Sequence, residues 1–540
     1  MIVKGDTNSH ADGLALRVLA ARDRFPERPA LFVDGEHWAY GALVDCAGRM
    51  ASFLQKAPKG RLGAILGARS LTAYSGVLAT AFAGRGYVPL NPKYPIERTM
   101  VMLEACGANT LIVDKRAIHH LDAILSQISW PLWVLLPEED DVAPIASRHP
   151  RHTVVGRKDI EDARPLLDAH RVQADDIAYL LFTSGSTGAP KGVMVSSGNV
   201  LHHLDVMAER YSIRETDRFS QSFELTFDLS VFDMFLCWTN GACLYSLPER
   251  EVSMPARFIR EHGLTVWFSV PSTGMMLRRL HLLKASAFPT LRVSLFCGER
   301  LMSEIAAAWQ EAAPGSIVEN LYGPTETTIA CTLYRWDPSG SPAECVDGTV
   351  PIGAAFPGLR AAIVDDLLSP VQQGGRGELC ISGPQVALGY WRDPPRTAER
   401  FVKLSWDPTP DARWYRTGDV AFVNDKGNLI FCGRGDEQIK LRGYRVELGE
   451  VEFALRQAAK TDFVAVLPYP IGPSGPAALT ACVAGTDELA SNILNRAKEI
   501  LPPHCVPQSV IKFDQLPLTS SGKIHRLCLK RMLEEKDAKT

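Results

Sequence analysis

No stretch of the 540-residue chain reaches the ~18–20 consecutive apolar residues that a membrane-spanning helix needs. The richest short run, WPLWVLLP at 130–137, has the length of a buried strand. The N-terminal MIVKGDTNSHADG lacks the charged-then-apolar order of an export signal, so a cytoplasmic location is expected. No CxxC pair occurs among the twelve cysteines. That excludes paired-ligand zinc sites and leaves free, buried thiols as the expectation in a reducing compartment. Charge of one sign is not in excess either: 58 basic and 61 acidic residues give a net −3. This balance speaks against a protein that coats nucleic acid or an acidic membrane. Internal repeats, low-complexity tracts and long linkers are missing as well.

What is present is an ordinary globular composition, 46% hydrophobic and 22% charged, with length for about three or four domain-sized units. LGAILG (62–67) reads as a strand, SLTAYSGVLATAFAGRG (70–86) as a helix and LIVD (111–114) as the next strand. Strands alternating with helices predict parallel βαβ units, and the pattern recurs from 177 to about 330. Between 345 and 432 short strands dominate, separated by Gly and Pro turns, which predicts a β-rich unit. Beyond Gly433-Arg434-Gly435-Asp436, GEVEFALRQAAK reads as a helix and FVAVLPYP and ALTACVAG as strands. The expected fold is α/β. A large N-terminal domain of layered parallel α/β subdomains plus a β-rich subdomain (1–433) leads through a hinge (434–437) into a small, mobile α+β C-terminal domain (438–540).

The densest chemical signal is the run from Tyr179 to Gly192. An apolar strand feeds Thr183-Ser184-Gly185-Ser186-Thr187-Gly188, closed by Ala189-Pro190-Lys191-Gly192. Glycines let backbone N–H groups turn toward an anion, hydroxyls add donors, and Lys191 adds a point charge. A polyphosphate is the ligand such a loop suits. It is not a Walker loop, because Lys191 is followed by Gly192 and Val193 rather than Ser or Thr.

TSGSTGAPKGV resembles the phosphate loop of the adenylate-forming superfamily, which holds acyl-CoA synthetases, luciferase-like enzymes and the adenylation domains of non-ribosomal peptide synthesis. Further motifs follow in order: YVPLNPKYPIER (87–98), ENLYGPTETT (319–328), GELCISGPQVALGYW (377–391), WYRTGDV (414–420), GRGDEQIKLRGYRVELGEVE (433–452) and LPLTSSGKIHR (516–526). The resemblance covers nearly the whole chain. One departure stands out: where the family usually has a Thr-His-Arg-like segment, this chain has Ser196-Ser197-Gly198-Asn199. A structural difference is expected there.

The resemblance implies a ligase that uses ATP and Mg²⁺ in two steps. A carboxylate attacks the α-phosphate and releases pyrophosphate; a thiol then captures the acyl group. Thr183, Ser184, Gly185, Ser186, Thr187, Gly188 and Lys191 would cradle phosphates, with Thr183, Lys191, Glu326 and Lys523 closest to the chemistry. Glu326 suits a Mg²⁺ that bridges phosphates. Thr325 can donate to phosphate, Asp419 and Arg434 can hold the ribose, and Asn320 offers its amide to the adenine edge. Gly298, Tyr322 and Gly323 complete the nucleotide site. Lys523 would stabilise charge developing between carboxylate and α-phosphate. Asp436 takes the hinge position. Domain rotation would then present Lys523 in one half-reaction and the Lys440–Glu447 segment, with Gly443 and Tyr444, in the other.

Asp228 matches the aspartate with which amino-acid-activating members pair the substrate ammonium. A carboxylate in an apolar pocket is costly without a cation, so an amino acid is expected rather than a fatty or aryl acid. The competing reading makes Asp228 the cap of a helix starting near Leu229. By the same resemblance the pocket is lined by Asp228, Leu229, Phe232, Ser269, Leu295, Cys297, Leu321, Ile329 and Ala330. Those walls suit a small apolar side chain. FELTFDLSVFDMF, VWFSVPS and SLFCGE resemble stand-alone ligases that load L-proline onto carrier proteins. D-alanine and other small amino acids are the alternatives. The chain ends 17 residues after Lys523, so the acceptor is expected to be the phosphopantetheine thiol of a separate carrier protein, docked near Lys440, Arg442 and Arg445. An acyl- or aryl-CoA ligase, a catalytically silent nucleotide sensor and a P-loop kinase are the rival functions. Asp228, the joint presence of Lys523, Glu326 and Asp419, and the absent Walker spacing argue against them in turn.

Overall fold

The strands LGAIL, GYVPL, TLIV, CLYS, VWFS and VSLF are buried at every position. Continuous burial is the mark of parallel strands covered on both faces, and these strands build two large sheets. The computed structural model describes residues 13–168, 172–183, 190–435, 438–472, 475–518 and 524–537. One sheet has eight strands, in the order 389–390, 191–196, 177–183, 86–90, 62–66, 110–113, 133–135, 153–155. The other has nine: 354–355, 332–335, 317–322, 293–296, 266–269, 218–221, 243–246, 29–33, 36–39. The inner pairs are parallel, and antiparallel strands close both edges of the nine-stranded sheet.

Two helices lie between the sheets. Leu71–Phe82 is buried on nearly every face, the pattern of a helix packed on all sides. Its Tyr74 hydroxyl reaches Ser246 of the nine-stranded sheet at 2.8 Å. Ser70 caps it by accepting from Ala73 N at 3.1 Å. This helix stops four residues short of the sequence expectation, because Gly84 adopts φ +70° and the next strand begins at Gly86. Ser197–Tyr211 is the second interlayer helix. Its start explains the departure at 196–199: Ser196 Oγ accepts from Asn199 N at 3.2 Å, and Asn199 Oδ1 accepts from Ser196 N at 2.9 Å. This capping box also ties Asn199 Nδ2 to Pro384 O at 2.7 Å.

The expected β-rich unit is a five-stranded sheet of 360–364, 377–382, 401–402, 414–423 and 429–434. A smaller C-terminal domain follows. It opens with the hairpin Gln438–Leu441/Tyr444–Glu447 and continues with helix Leu448–Ala459 and a three-stranded sheet of 464–468, 479–484 and 509–513. Its apolar core is separate, built on residues such as Val446, Val451, Leu455, Val466 and Ile493. All twelve cysteines are free thiols, mostly buried. Among the described residues no helix is long and apolar enough to cross a membrane.

Candidate active site

The ends of neighbouring parallel strands converge on one crevice. Strand 266–269 ends in Ser269, strand 293–296 leads into Cys297-Gly298, and strand 317–322 into Gly323-Pro324-Thr325. Ligand sites of open α/β sheets lie at such carboxyl ends. A cavity of about 100 Å³ there is lined by Thr183, Asp228, Leu229, Cys297, Gly298, Gly323, Thr325, Ile329, Asp419 and Arg434, together with Lys440 and Gly443 of the C-terminal hairpin. A second cavity of about 320 Å³ adjoins it and is lined by Asn320, Leu321, Tyr322, Ile352, Phe431 and Lys440 among others. An open groove of about 660 Å³ runs between the two domains past Ser269, Val270, Phe227, Leu441, Arg442 and Tyr444.

Asp228 precedes the short helix Leu229–Val231, but its side chain makes no cap hydrogen bond. The carboxylate is buried. Burial pushes its pKa up to about 6, partly offset by a hydrogen bond with Thr325 and by the Lys440 charge. The walls beside it are Leu229, Cys297 and Ile329. Ile329 and Thr328 both sit in the left-handed region, at φ +70° and +61°, a strained state for β-branched residues. Gln385 holds this turn: its Nε2 donates to Ala330 O at 2.7 Å, and Thr328 Oγ1 donates to Gln385 O at 2.6 Å. Phe232, Leu295 and Ala330 do not line the cavity. They pack in the core behind it, where Phe232 meets Phe268 edge-on at 4.9 Å. Ser269 faces the groove rather than the cavity, and its hydroxyl accepts from Trp267 Nε1 at 3.0 Å.

The nucleotide-type residues also gather here. Asp419 Oδ1 accepts from Arg434 at 2.6 Å and its Oδ2 from the Tyr322 hydroxyl. Asn320 Nδ2 donates to Val350 O and Pro351 O at 3.3 and 2.9 Å, while its Oδ1 is buried without a partner. Thr183 Oγ1 is likewise buried and unpartnered. Such orphaned groups are rare without a ligand or water to satisfy them. Ser184, Gly185, Ser186, Thr187, Gly188, Asp436 and Lys523 lie outside the described residues.

Glu326 is fully buried on the turn Thr325–Thr327. Its Oε1 takes hydrogen bonds from Lys191 Nζ at 3.2 Å, the Tyr390 hydroxyl at 2.8 Å and Arg445 Nη1 at 3.1 Å; Arg445 Nη1 also reaches Oε2 at 2.9 Å. Burial raises its pKa, but Arg445 and then Lys191 outweigh that and hold it below the usual carboxylate range. Lys191 is lowered to about 8 by burial and by the Arg445 charge. Among the described residues no group of three or more His, Cys, Asp or Glu converges. A single carboxylate beside phosphate groups is still what Mg²⁺ ordinarily takes from a protein, so Glu326 fits that ion.

Arg445 corrects a sequence expectation. Its side chain is 17% exposed and paired within the site, so it is not part of a docking surface. Lys440 also turns inward, with Nζ 5.6 Å from the Tyr322 ring centre. Arg442 remains exposed. Sequence reasoning missed the Arg445–Glu326 and Tyr390–Glu326 contacts, because the partners lie 119 and 64 residues apart and no local pattern links them.

Residues 19–391 match the family model of AMP-binding enzymes. The chain is 33% identical to the Vibrio cholerae adenylation domain AlmE, solved with glycyl-adenosine-5'-phosphate; the match covers 99% of this chain and 100% of that one, with a TM-score of 0.86. It is 32% identical over 513 residues to tyrocidine synthase 3 of Brevibacillus parabrevis, covering 93% of this chain and 7% of that protein. It is 29% identical over 518 residues to the zwittermicin A synthase ZmaJ of Bacillus cereus, covering 94% of this chain and 92% of that one. The chain thus spans roughly a tenth of the first, multidomain synthases it matches and nearly all of ZmaJ. The chain therefore belongs to the AMP-binding, adenylate-forming enzymes.

Proposed function

We propose that this enzyme activates a small apolar amino acid as its aminoacyl-AMP and transfers it to the phosphopantetheine thiol of a separate carrier protein. The carrying observation is the buried Asp228 carboxylate in a cavity whose apolar lining includes Leu229, Cys297 and Ile329. An ammonium there neutralises a charge that is costly alone, and a fatty or aryl acid brings none.

The roles follow from the donors and acceptors. Asp228 orients the amino acid so that its carboxylate faces the nucleotide. Asn320 Oδ1, unpartnered, accepts from the adenine amine. Asp419 and Arg434 hold the ribose, and Thr183 and Lys191 hold phosphate oxygens with Ser184–Gly188. Glu326 would hold Mg²⁺, which when bound draws charge off the phosphate oxygens. Lys523 stabilises the charge that builds between carboxylate and α-phosphate, a contact of the kind worth ~3–4 kcal/mol. Residues 434–437 act as the hinge between a domain of 1–433 and one of 438–540, which brings Lys523 and the 438–447 segment to the crevice in turn.

L-Proline is the substrate named by the phrases around Asp228. Glycine is the second reading, favoured by the glycyl-adenylate in the AlmE structure, a relative matched end to end. A separate carrier agrees with the near full-length matches to AlmE and ZmaJ. The test is ATP–pyrophosphate exchange against all proteinogenic amino acids, D-alanine and simple carboxylic acids. Exchange with L-proline, or with one other small amino acid, that disappears in Asp228→Ala supports the reading. Exchange with acids lacking an amine overturns it.

A further inference from the structure

We propose that Arg445 is a built-in counter-cation for Glu326, and that it and the metal ion of the nucleotide exclude one another there. The inference rests on the reading that Glu326 holds that ion and that the smaller domain moves. The three side chains that donate to Glu326 come from two sources. Lys191 and Tyr390 stand on strands 191–196 and 389–390, which pair directly in the eight-stranded sheet (Tyr390 opposite Val193). Glu326 is tied to that sheet's edge as well, through Ala387 N to Glu326 O at 2.9 Å. These contacts stay together whatever the smaller domain does. Arg445 alone arrives on the C-terminal hairpin, directly after Gly443, which packs on Val270, and Tyr444, which packs edge-on against Phe227 at 5.4 Å.

Charge decides the consequence. A fully buried carboxylate needs compensation. With the hairpin seated, Lys191 and Arg445 supply it. With the hairpin withdrawn, Lys191 remains and a divalent cation carrying phosphates can take the vacated side. With both present, the ion and the guanidinium would share one carboxylate in a site of low dielectric, where like charges repel strongly. The hairpin therefore seats only after the cation has left with pyrophosphate. Arg445 orders the two half-reactions by charge, so that thiol capture does not begin on a site still loaded with metal pyrophosphate.

Calorimetric titration of the full chain with magnesium pyrophosphate tests this, comparing wild type, Arg445→Gln and Arg445→Lys. Arg445→Gln is expected to bind at least fivefold tighter and to lower the Mg²⁺ concentration for half-maximal exchange at least threefold, while thiol transfer slows tenfold or more. Arg445→Lys, which keeps the charge on one donor, should fall between. Equal or weaker binding by Arg445→Gln in a protein that melts like wild type overturns the inference. So does an equal fall in both half-reactions with an unchanged Mg²⁺ requirement. If Arg445→Gln gives no cooperative melt, Arg445→Lys decides: binding at least twofold tighter supports the exclusion, and wild-type binding overturns it. Failure of the underlying reading looks different, since Glu326→Gln would then bind magnesium pyrophosphate as tightly as the wild type.

Discussion

Asp228 shows what burying one carboxylate costs a fold. Its carboxyl titrates near 6 in the folded protein because burial disfavours the charge. An unfolded aspartate titrates near 3.9. Between those values the folded chain keeps a proton that the unfolded chain has lost, so stability falls as pH rises through about 4 to 6 and stays lower above that window. Asp228→Asn removes this cost. We expect a stability at pH 8 that is equal or higher, by up to roughly 3 kcal/mol, with amino-acid-dependent exchange reduced at least a hundredfold. A lower melting temperature would mean that the carboxylate supports the fold rather than the substrate. For the same reason, amino-acid affinity of the wild type should weaken as pH drops below about 6. Titration of the KM for the amino acid at constant ATP reads this directly; a flat profile down to pH 5 contradicts it. The place of Asp228 at the crevice was legible in the sequence, because a local motif surrounds it. Arg445 was not, because its role depends on a partner 119 residues away.

At the scale of elements, two segments set the geometry of the crevice. The turn 327–330 holds two β-branched residues at positive φ, which costs of order 1–3 kcal/mol each unless neighbours fix it. Gln385 is the neighbour, bonded to that turn by side chain and backbone. Gln385→Leu should destabilise the enzyme by about 2–4 kcal/mol through unpaired buried carbonyls, measured by urea unfolding. A loss below 0.5 kcal/mol would show that the turn is held elsewhere. The hairpin 438–447 is the other segment. Gly443 adopts φ +82°, and a Cβ there would sit 2.5 Å from Val270 Cγ1. Gly443→Ala cannot seat as Gly443 does. Thiol transfer should drop tenfold or more and amino-acid exchange much less, as read by separate assays of the two steps; equal losses would argue against a role in the second step alone. The helix that follows the hairpin was readable from its hydrophobic pattern, whereas the hairpin strands themselves were not read from the sequence. The left-handed Ile329 was not, since no local signal asks a β-branched residue to adopt it.

Across the whole molecule, a small set of contacts holds the two domains together. Arg98 pairs with Glu450 in a largely buried bridge. His504 stacks on Tyr444 with ring centres 4.0 Å apart and also meets Tyr94. Burial and the nearby Arg98 charge lower the His504 pKa to about 3, so the ring is neutral in this arrangement. Removing one partner of a buried pair typically costs ~3–5 kcal/mol. Glu450→Gln should therefore loosen the arrangement, seen as a larger radius of gyration in solution scattering without loss of secondary structure. An unchanged radius would place the hold in the aromatic stack instead.

The sequence by itself determined the layered α/β class, the order of large and small domain, and the family. Each depends on local runs: apolar strands, glycine turns and short motifs whose spacing fixes their chemistry. Tertiary structure decided which residues share a cavity. It moved Phe232, Leu295 and Ala330 into the core, turned Arg445 from the surface onto Glu326, and left Asp228 free of the helix cap beside it. These outcomes rest on burial and charge pairing between segments a hundred or more residues apart, and such energies exist only once the chain has folded.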